Sequence, residues 1–199
     1  MDGYISKNNL DIYNYKGWVL LKNQIDSDTV DTIKQKALFF RSWVENDDWK
    51  GVGCVGKHDE YLYNFYTSKL MFRLVCKILN TPDVWLFNDQ VVVKKPGDNF
   101  FFPAHTDNDT VTPNKDYKIE TVNLSIALDD FTDENGGLEL FHTKWEKVYP
   151  KKGDIIAIRG NTLHRSGINE SSESRGLYAC VYCADKIDFL NFYKDKFVI

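Results

Sequence analysis

The chain has 199 residues, of which 43% are hydrophobic and 15% aromatic, and its formal net charge is −4. These values fit one globular domain with a buried core and exclude a disordered chain. The acidic and basic residues are interleaved, without the basic stripe of a nucleic-acid-binding protein, and no apolar run approaches membrane-spanning length. We expect a single domain over residues 1–199, a cytoplasmic monomer or weak homodimer that binds neither nucleic acid nor membrane.

The first part of the chain predicts one short strand and two helices. Residues 17–21 form an apolar strand, and the Asp26 carboxylate can cap a helix over residues 29–43. Residues 47–59 are polar and rich in glycine, which indicates a loop. A second helix is predicted over residues 68–79, with its apolar side chains at helical spacing.

The rest of the chain has the pattern of short strands separated by turns that contain glycine. Two helices followed by six or more strands indicate an antiparallel barrel or sandwich braced by helices. The predicted strands cover residues 84–94, 100–106, 121–128, 138–141, 154–158 and 177–183.

The four cysteines predict ordinary reduced thiols rather than a zinc site. Only Cys180 and Cys183 have the spacing of a paired metal ligand, and they lie in a predicted strand, where positions three apart point to opposite faces. The other two, Cys54 and Cys76, stand alone in the sequence.

A metal site is predicted where a histidine and an aspartate follow an apolar strand. His105 and Asp107 are two residues apart, so on an extended chain both side chains project from one face. His164, just after another predicted strand, is the best third ligand. Two histidines and one carboxylate form the facial triad that suits non-haem Fe(II) and leaves positions open.

An arginine is predicted to bind a second group beside this metal. Arg175 enters the last strand eleven residues after His164, and an antiparallel return would carry its guanidinium towards the metal. The planar guanidinium suits bidentate capture of a carboxylate. A 2-oxo acid could therefore chelate the iron while its far carboxylate binds Arg175.

In combination, these motifs resemble the phytanoyl-CoA dioxygenase family of 2-oxoglutarate oxygenases. The resemblance covers residues 17–182, nearly the whole chain, and includes the turn after the central strand at residues 135–138 and the closing segment at residues 164–169. It implies a mainly β fold with flanking helices, a double-stranded β-helix or cupin-like jelly-roll barrel. It also implies Fe(II) as cofactor, 2-oxoglutarate as cosubstrate and O₂ as oxidant, with ascorbate helpful in vitro.

The resemblance further implies secondary contacts to 2-oxoglutarate. Ser125 and Ser166 fall where family members place groups near this cosubstrate, and Phe102 packs against it. The register leaves open whether Lys94 or Lys95 makes a polar contact there or faces solvent. 

The sequence departs from the family pattern around His142, where the usual proline-glycine-serine-histidine segment is missing. We interpret His142 as a structural residue and expect His58, in the polar loop, to be exposed. The short chain argues against a bulky CoA-thioester substrate.

The expected reaction is hydroxylation of an unactivated C–H bond, with release of succinate and CO₂. Halogenating relatives lack the carboxylate that Asp107 supplies here, although desaturation or ring closure stays open. We expect a small polar metabolite as substrate, with a protein side chain second. A cupin-like metal-binding module or dioxygenase that does not use 2-oxoglutarate is the alternative function.

The sequence also suggests roles for residues close to the predicted metal site. Residues 108–120 are expected to form a mobile flap, and the rings at residues 100–102 and at Trp145 to exclude water. Arg159 and Arg165 flank the His164 loop, where they either contact an anionic group or are surface charges.

Overall fold

The computed structural model describes residues 5–44, 51–108 and 120–185. Within these ranges all the helices lie before residue 80, with two short strands among them, and the other strands follow. None of the described helices is long and apolar enough to cross a membrane. The helices are α1 (Lys7–Lys16), α2 (Ser27–Arg41), α3 (Glu60–Tyr66) and α4 (Lys69–Leu79), with a 3-10 turn over Val55–Lys57.

The strands form two antiparallel sheets. The larger sheet has the order β1-β8-β5-β10-β3-β2 and the smaller sheet the order β4-β9-β6-β7. Together with the flanking helices, they form the expected double-stranded β-helix, or jelly roll. The strands are β1 (Trp18–Leu21), β2 (Gly51–Gly53), β3 (Trp85–Lys94), β4 (Phe102–His105), β5 (Thr121–Ala127), β6 (Leu138–Phe141), β7 (Trp145–Val148), β8 (Ile155–Arg159), β9 (His164–Ser166) and β10 (Arg175–Cys183).

Each helix begins at a residue whose side chain accepts a hydrogen bond from a free backbone N–H of the first turn. Asp26 caps α2 by accepting from Thr29 N–H, and Ser68 caps α4 by accepting from Met71 N–H. Such caps offset the missing intrahelical acceptors at a helix start. The predicted helices are therefore confirmed, with their starts at the capping residues.

Two hydrophobic cores lie on the two faces of the larger sheet. The first fills the space between this sheet and the helices, and it includes residues of α2 and α4 such as Ile33 and Leu74. The second lies between the two sheets and joins Trp18, Ile156 and Leu140. Burial on both faces explains why β5 is buried at every position.

The short or polar elements were not predicted. Helix α1 buries only Tyr13, so its apolar periodicity is weak. The prediction of a loop over residues 47–59 was wrong where Gly51–Gly53 pairs with β3 and where Val55–Lys57 turns, while residues 45–50 lie outside the described ranges. All four cysteines are free, as expected.

A buried tyrosine ties α3 to the larger sheet. Tyr66 is fully buried; its hydroxyl donates to Val181 O and accepts from Phe87 N–H, 3.0 Å away. One hydroxyl thus joins the helix to both β10 and β3.

We expect Tyr66→Phe to lower the free energy of unfolding by about 1–3 kcal/mol, because buried backbone groups lose their partner. The matched control is Tyr149→Phe, which removes a hydroxyl from a side chain that is 45% exposed and should change stability by less than about 0.5 kcal/mol. Urea denaturation measures both, and equal effects would contradict the structural role of Tyr66.

Candidate active site

The two histidines of the predicted triad lie opposite each other on neighbouring strands. Strand β4 pairs with β9 so that His105 faces His164, and the pairing shifts register between Phe102 and His105. The two ring centroids are 4.2 Å apart. A β-bulge of this kind redirects a side chain, and here it brings both imidazoles to one point.

Backbone carbonyls fix which ring nitrogen of each histidine carries the proton. His105 Nδ1 lies 2.8 Å from Pro103 O, and His164 Nδ1 lies 3.0 Å from Thr162 O. A carbonyl oxygen only accepts, so each Nδ1 must donate. Both Nε2 atoms are then left with a lone pair, the form in which imidazole binds a metal.

Asp107 supplies the carboxylate beside these nitrogens. Its Oδ1 lies 3.6 Å from His164 Nε2, and its Oδ2 accepts a hydrogen bond from Asn123 Nδ2 at 3.1 Å. The ligand atoms of His105, Asp107 and His164 all lie within 4.8 Å of one another, and among the described residues they are the group that could hold a metal ion. Donor atoms about 2.1 Å from one metal lie roughly 3–4 Å apart, so these donors need to move only slightly closer together to bind a single ion.

The residue after Asp107 is held between two strands of the larger sheet. Asn108 N–H donates to Gly160 O at 2.9 Å, and Asn108 Oδ1 accepts from Thr121 Oγ1 at 2.8 Å. A Cβ atom on Gly160 would lie 1.8 Å from Thr121 Oγ1, so only glycine fits there. These contacts fix the backbone that carries Asp107.

Arg175 lies in the same pocket as the triad and is 2% exposed. Its guanidinium donates to Asn135 O and Gly136 O and lies 4.3 Å from the centroid of the Phe131 ring. Gly136 has φ +78°, and a Cβ there would lie 2.5 Å from Gly167 O. The glycine turn therefore serves to bring two carbonyls to the arginine.

Burial lowers the pKa of Arg175 to about 10, while the charge of Asp129 raises it. The Asp129 carboxylate already has other partners, since it accepts a hydrogen bond from Gly176 N–H and forms a salt bridge with Lys34. The guanidinium is still charged at neutral pH although it is buried.

Lys94, rather than Lys95, contacts a residue that lines this end of the pocket. Lys94 is fully buried on β3 opposite Arg175, whereas Lys95 is exposed. Its ammonium donates to Ser166 Oγ at 2.8 Å and to Gly167 O. Burial lowers the pKa of Lys94 to about 6, and the Arg175 charge adds to the effect.

The other expected cosubstrate contacts also line the pocket. Phe102 stacks on His105, with centroids 5.8 Å apart, and pairs with Ser166 across the strands. Ser125 is buried on β5, and its hydroxyl donates to Asn123 Oδ1 at 2.9 Å. The structure thus brings all seven predicted site residues together around one pocket.

Two polar residues of the pocket were missed by the sequence-based prediction. Asn123 touches Asp107, and Gln90 projects from β3 on the pocket side. Asn123 lies two residues from the predicted Ser125 on β5, and Gln90 lies four residues from the candidate Lys94 on β3. Strand alternation was the signal that could have found them.

The two arginines beside the His164 loop have protein partners. Arg165 donates to Glu139 at 2.9 Å, and its guanidinium lies over the Trp145 ring, 4.2 Å from the ring centroid. Trp145, which was expected to exclude water, therefore packs on Arg165. Arg159 lies over the Tyr13 ring, 4.9 Å from its centroid. 

The remaining histidines lie away from the metal ligands. His142 packs on Tyr15, with ring centroids 4.6 Å apart, and His58 is exposed beside Trp43. The expected flap over residues 108–120 falls mostly on residues 109–119, which lie outside the described ranges. Of the rings expected to exclude water, Phe101 is 55% exposed.

Comparison with known proteins gives the same family as the motifs. Residues 13–142 match the sequence model described as "Phytanoyl-CoA dioxygenase (PhyH)". The dioxygenase andF of Emericella variicolor is 24% identical over 204 residues, which cover 83% of this chain and 70% of that protein.

Solved structures share the fold at low identity. EctD from S. alaskensis superposes with a TM-score of 0.83 at 14% identity, covering 97% of this chain and 85% of that one. The non-haem, α-ketoglutarate-dependent carbocyclase SnoK from nogalamycin biosynthesis gives 0.80 at 16% identity, covering 92% and 85%. EctD with 2-oxoglutarate and 5-hydroxyectoine gives 0.81 at 15%, covering 92% and 77%.

The family match spans well over half of the chain, and the fold and the donor set agree with it. The chain belongs to the phytanoyl-CoA dioxygenase (PhyH) family and is a 2-oxoglutarate-dependent non-haem iron dioxygenase.

Proposed function

We propose that this enzyme hydroxylates an unactivated C–H bond of a small polar metabolite, with His105, Asp107 and His164 holding Fe(II) and Arg175 anchoring 2-oxoglutarate. One observation carries the proposal: the same pocket is lined by the three candidate metal ligands and by the buried Arg175. A 2-oxo acid has a chelating group and a distant carboxylate, and this pocket has a partner for each.

The triad fits a ferrous ion by number and type of donor. Two imidazole nitrogens and one carboxylate leave three positions of an octahedron open. When bound, iron with 2-oxoglutarate supplies the oxidising chemistry that removes hydrogen from a C–H bond. The chain's own task is to hold the donors, orient the cosubstrate and keep water out.

Arg175 is the best anchor for the far carboxylate of 2-oxoglutarate. Two carbonyls and the Phe131 ring hold its guanidinium in place before any ligand binds. No described residue accepts a hydrogen bond from its Nη1 atom. A buried, oriented guanidinium binds a carboxylate strongly because little order is lost on binding.

Ser166 and Lys94 complete this carboxylate site. Because Ser166 Oγ accepts from Lys94, the serine hydrogen is available to donate to an anion beside Arg175. Lys94 lies behind the serine and adds positive potential when it is protonated. Phe102 forms the wall between this site and His105.

The proposed substrate class, a small polar metabolite, is supported by the pocket lining and by the ligands of similar structures. Gln90 faces the pocket, and no described residue hydrogen-bonds its carboxamide, so it is available to a polar substrate group. The EctD structure contains 5-hydroxyectoine, and a structure of the epimerase SnoN from nogalamycin biosynthesis contains nogalamycin RO, both small molecules. SnoK is a carbocyclase and SnoN is an epimerase, which indicates that the fold supports several outcomes. The carboxylate of Asp107 favours hydroxylation over halogenation here.

We expect the wild-type protein to convert 2-oxoglutarate to succinate when Fe(II) and air are supplied. Asp107→Ala and His105→Ala should lose both metal binding and succinate formation, because two donors hold the ion poorly. His142→Ala is the matched control and should keep both. Stoichiometric iron in the Asp107 variant, measured by metal analysis, would refute its assignment as a ligand.

The hydroxylation itself is tested with isotopically labelled dioxygen and a pool of small polar metabolites. The expected product carries one labelled oxygen atom. Labelled product from a protein substrate would favour the protein side chain instead, and metal-dependent turnover without 2-oxoglutarate would favour a cupin-like dioxygenase.

Arg175→Leu should weaken 2-oxoglutarate binding by about 10- to 100-fold, because a charge-assisted hydrogen bond is lost. Arg73→Leu, the same change at an exposed residue of α4, is the control and should leave the affinity unchanged. Titration of the Mn(II)-loaded protein measures both. An unchanged affinity in Arg175→Leu would show that the carboxylate binds elsewhere.

The affinity for 2-oxoglutarate should fall as pH rises from 6 to 8. The pKa of Lys94 is lowered to about 6 in the protein, so the side chain is protonated below this pH and loses its charge above it. A nearby carboxylate favours the protonated form, so binding takes up a proton. Lys94→Met should bind more weakly at pH 6 and show a flatter pH profile; an unchanged profile would place Lys94 away from the ligand.

A further inference from the structure

Two buried polar side chains form a line that ends on the half-buried carboxylate of the candidate metal ligand Asp107. Asn123 and Ser125 lie two residues apart on β5, on the side that faces the pocket, and are 4% and 2% exposed. Ser125 Oγ lies 2.9 Å from Asn123 Oδ1, and Asn123 Nδ2 lies 3.1 Å from Asp107 Oδ2.

The chemistry of the three groups fixes the direction of both hydrogen bonds. An ionised carboxylate only accepts, so the amide nitrogen of Asn123 must face Asp107. The amide oxygen then faces Ser125, and an amide oxygen also only accepts. The hydroxyl hydrogen of Ser125 is therefore donated to Asn123.

We propose that Asn123 is a positioning residue that holds Asp107 in a binding mode with one oxygen on the metal, and that Ser125 acts through Asn123. This inference rests on the proposed function, in which Asp107 is an iron ligand. Asn123 occupies Oδ2, which leaves Oδ1 on the side of His164 Nε2, 3.6 Å away.

Holding one carboxylate oxygen away from the metal keeps a coordination position open. The triad leaves three positions, and a chelating 2-oxo acid takes two while dioxygen needs the third. A carboxylate that turned to offer both oxygens would take one of them. The amide of Asn123 opposes this rotation because its donor would lose its partner in a buried site.

The direction of the bonds also separates the roles of the two pocket serines. Ser125 has given its hydrogen to Asn123 and offers only lone pairs to the pocket. Ser166 accepts from Lys94 and keeps its hydrogen for an anion. Ser166 is thus suited to bind the carboxylate of 2-oxoglutarate, and Ser125 is suited to orient Asn123.

The first test measures the affinity of the full-length protein for Mn(II) without 2-oxoglutarate. Asn123→Leu has a similar shape but no donor, and we expect its affinity to fall about 10- to 100-fold, as for other outer partners of metal ligands. Co(II) absorption should also change, because the carboxylate is free to bind through both oxygens. An unchanged affinity and spectrum would overturn the proposal.

The second test separates Ser125 from a cosubstrate contact. Ser125→Ala should lower Mn(II) affinity about two- to tenfold, the loss of one hydrogen bond. In the Asn123→Leu background, Ser125→Ala should have no further effect, because its partner is gone. Equal effects in both backgrounds, or a loss confined to 2-oxoglutarate affinity, would show that Ser125 does not act through Asn123.

Tyr178→Phe is the matched control, since it removes a buried hydrogen bond to Asp89, which does not line the pocket. It should leave Mn(II) affinity unchanged, and thermal melting shows whether each variant folds. If Asn123→Leu does not fold, the single Ser125→Ala variant decides the question. If the proposed function itself is wrong, Asp107→Ala keeps its affinity for Mn(II). If only the role of Asn123 is wrong, Asp107→Ala still loses that affinity.

Discussion

The pairing of strand β4 with β9 is the constraint on which the site depends. It sets His105 across from His164 and Phe102 across from Ser166, so one short pair of strands supplies two candidate metal ligands and one wall of the cosubstrate site. The bulge between Phe102 and His105 turns the imidazole towards its partner. The contacts of Asn108 fix the backbone that brings the Asp107 carboxylate beside these histidines.

At the other end of the pocket, the buried positive charge explains why backbone carbonyls lie beside Arg175. Arg175 and Lys94 face each other across β10 and β3, and burial lowers the pKa of both. Arg175 is charged at neutral pH, and Lys94 gains a second charge when it is protonated below about pH 6, so the buried positive charge is costly without an anion. The turn at Gly136 reduces this cost by supplying carbonyl acceptors. In our account, a dicarboxylic cosubstrate completes the compensation.

Much of this arrangement could be predicted from the sequence. The spacing of His105 and Asp107, the later His164 and the arginine that starts the last strand placed four residues at one pocket, because strand alternation and antiparallel return are general rules. The polar helix α1 and the short strands β7 and β9 could not be predicted, since they are held by tertiary contacts rather than by their own pattern. Neither could the burial of Lys94, which depends on the register of β3 against β10.

The most direct test of this account is a crystal structure of the protein with Mn(II) and 2-oxoglutarate. We expect one ion bonded to His105 Nε2, Asp107 Oδ1 and His164 Nε2, with the 2-oxo acid chelating it and its far carboxylate on Arg175. A metal held by other residues, or a 2-oxoglutarate whose far carboxylate lies away from Arg175, would contradict the account.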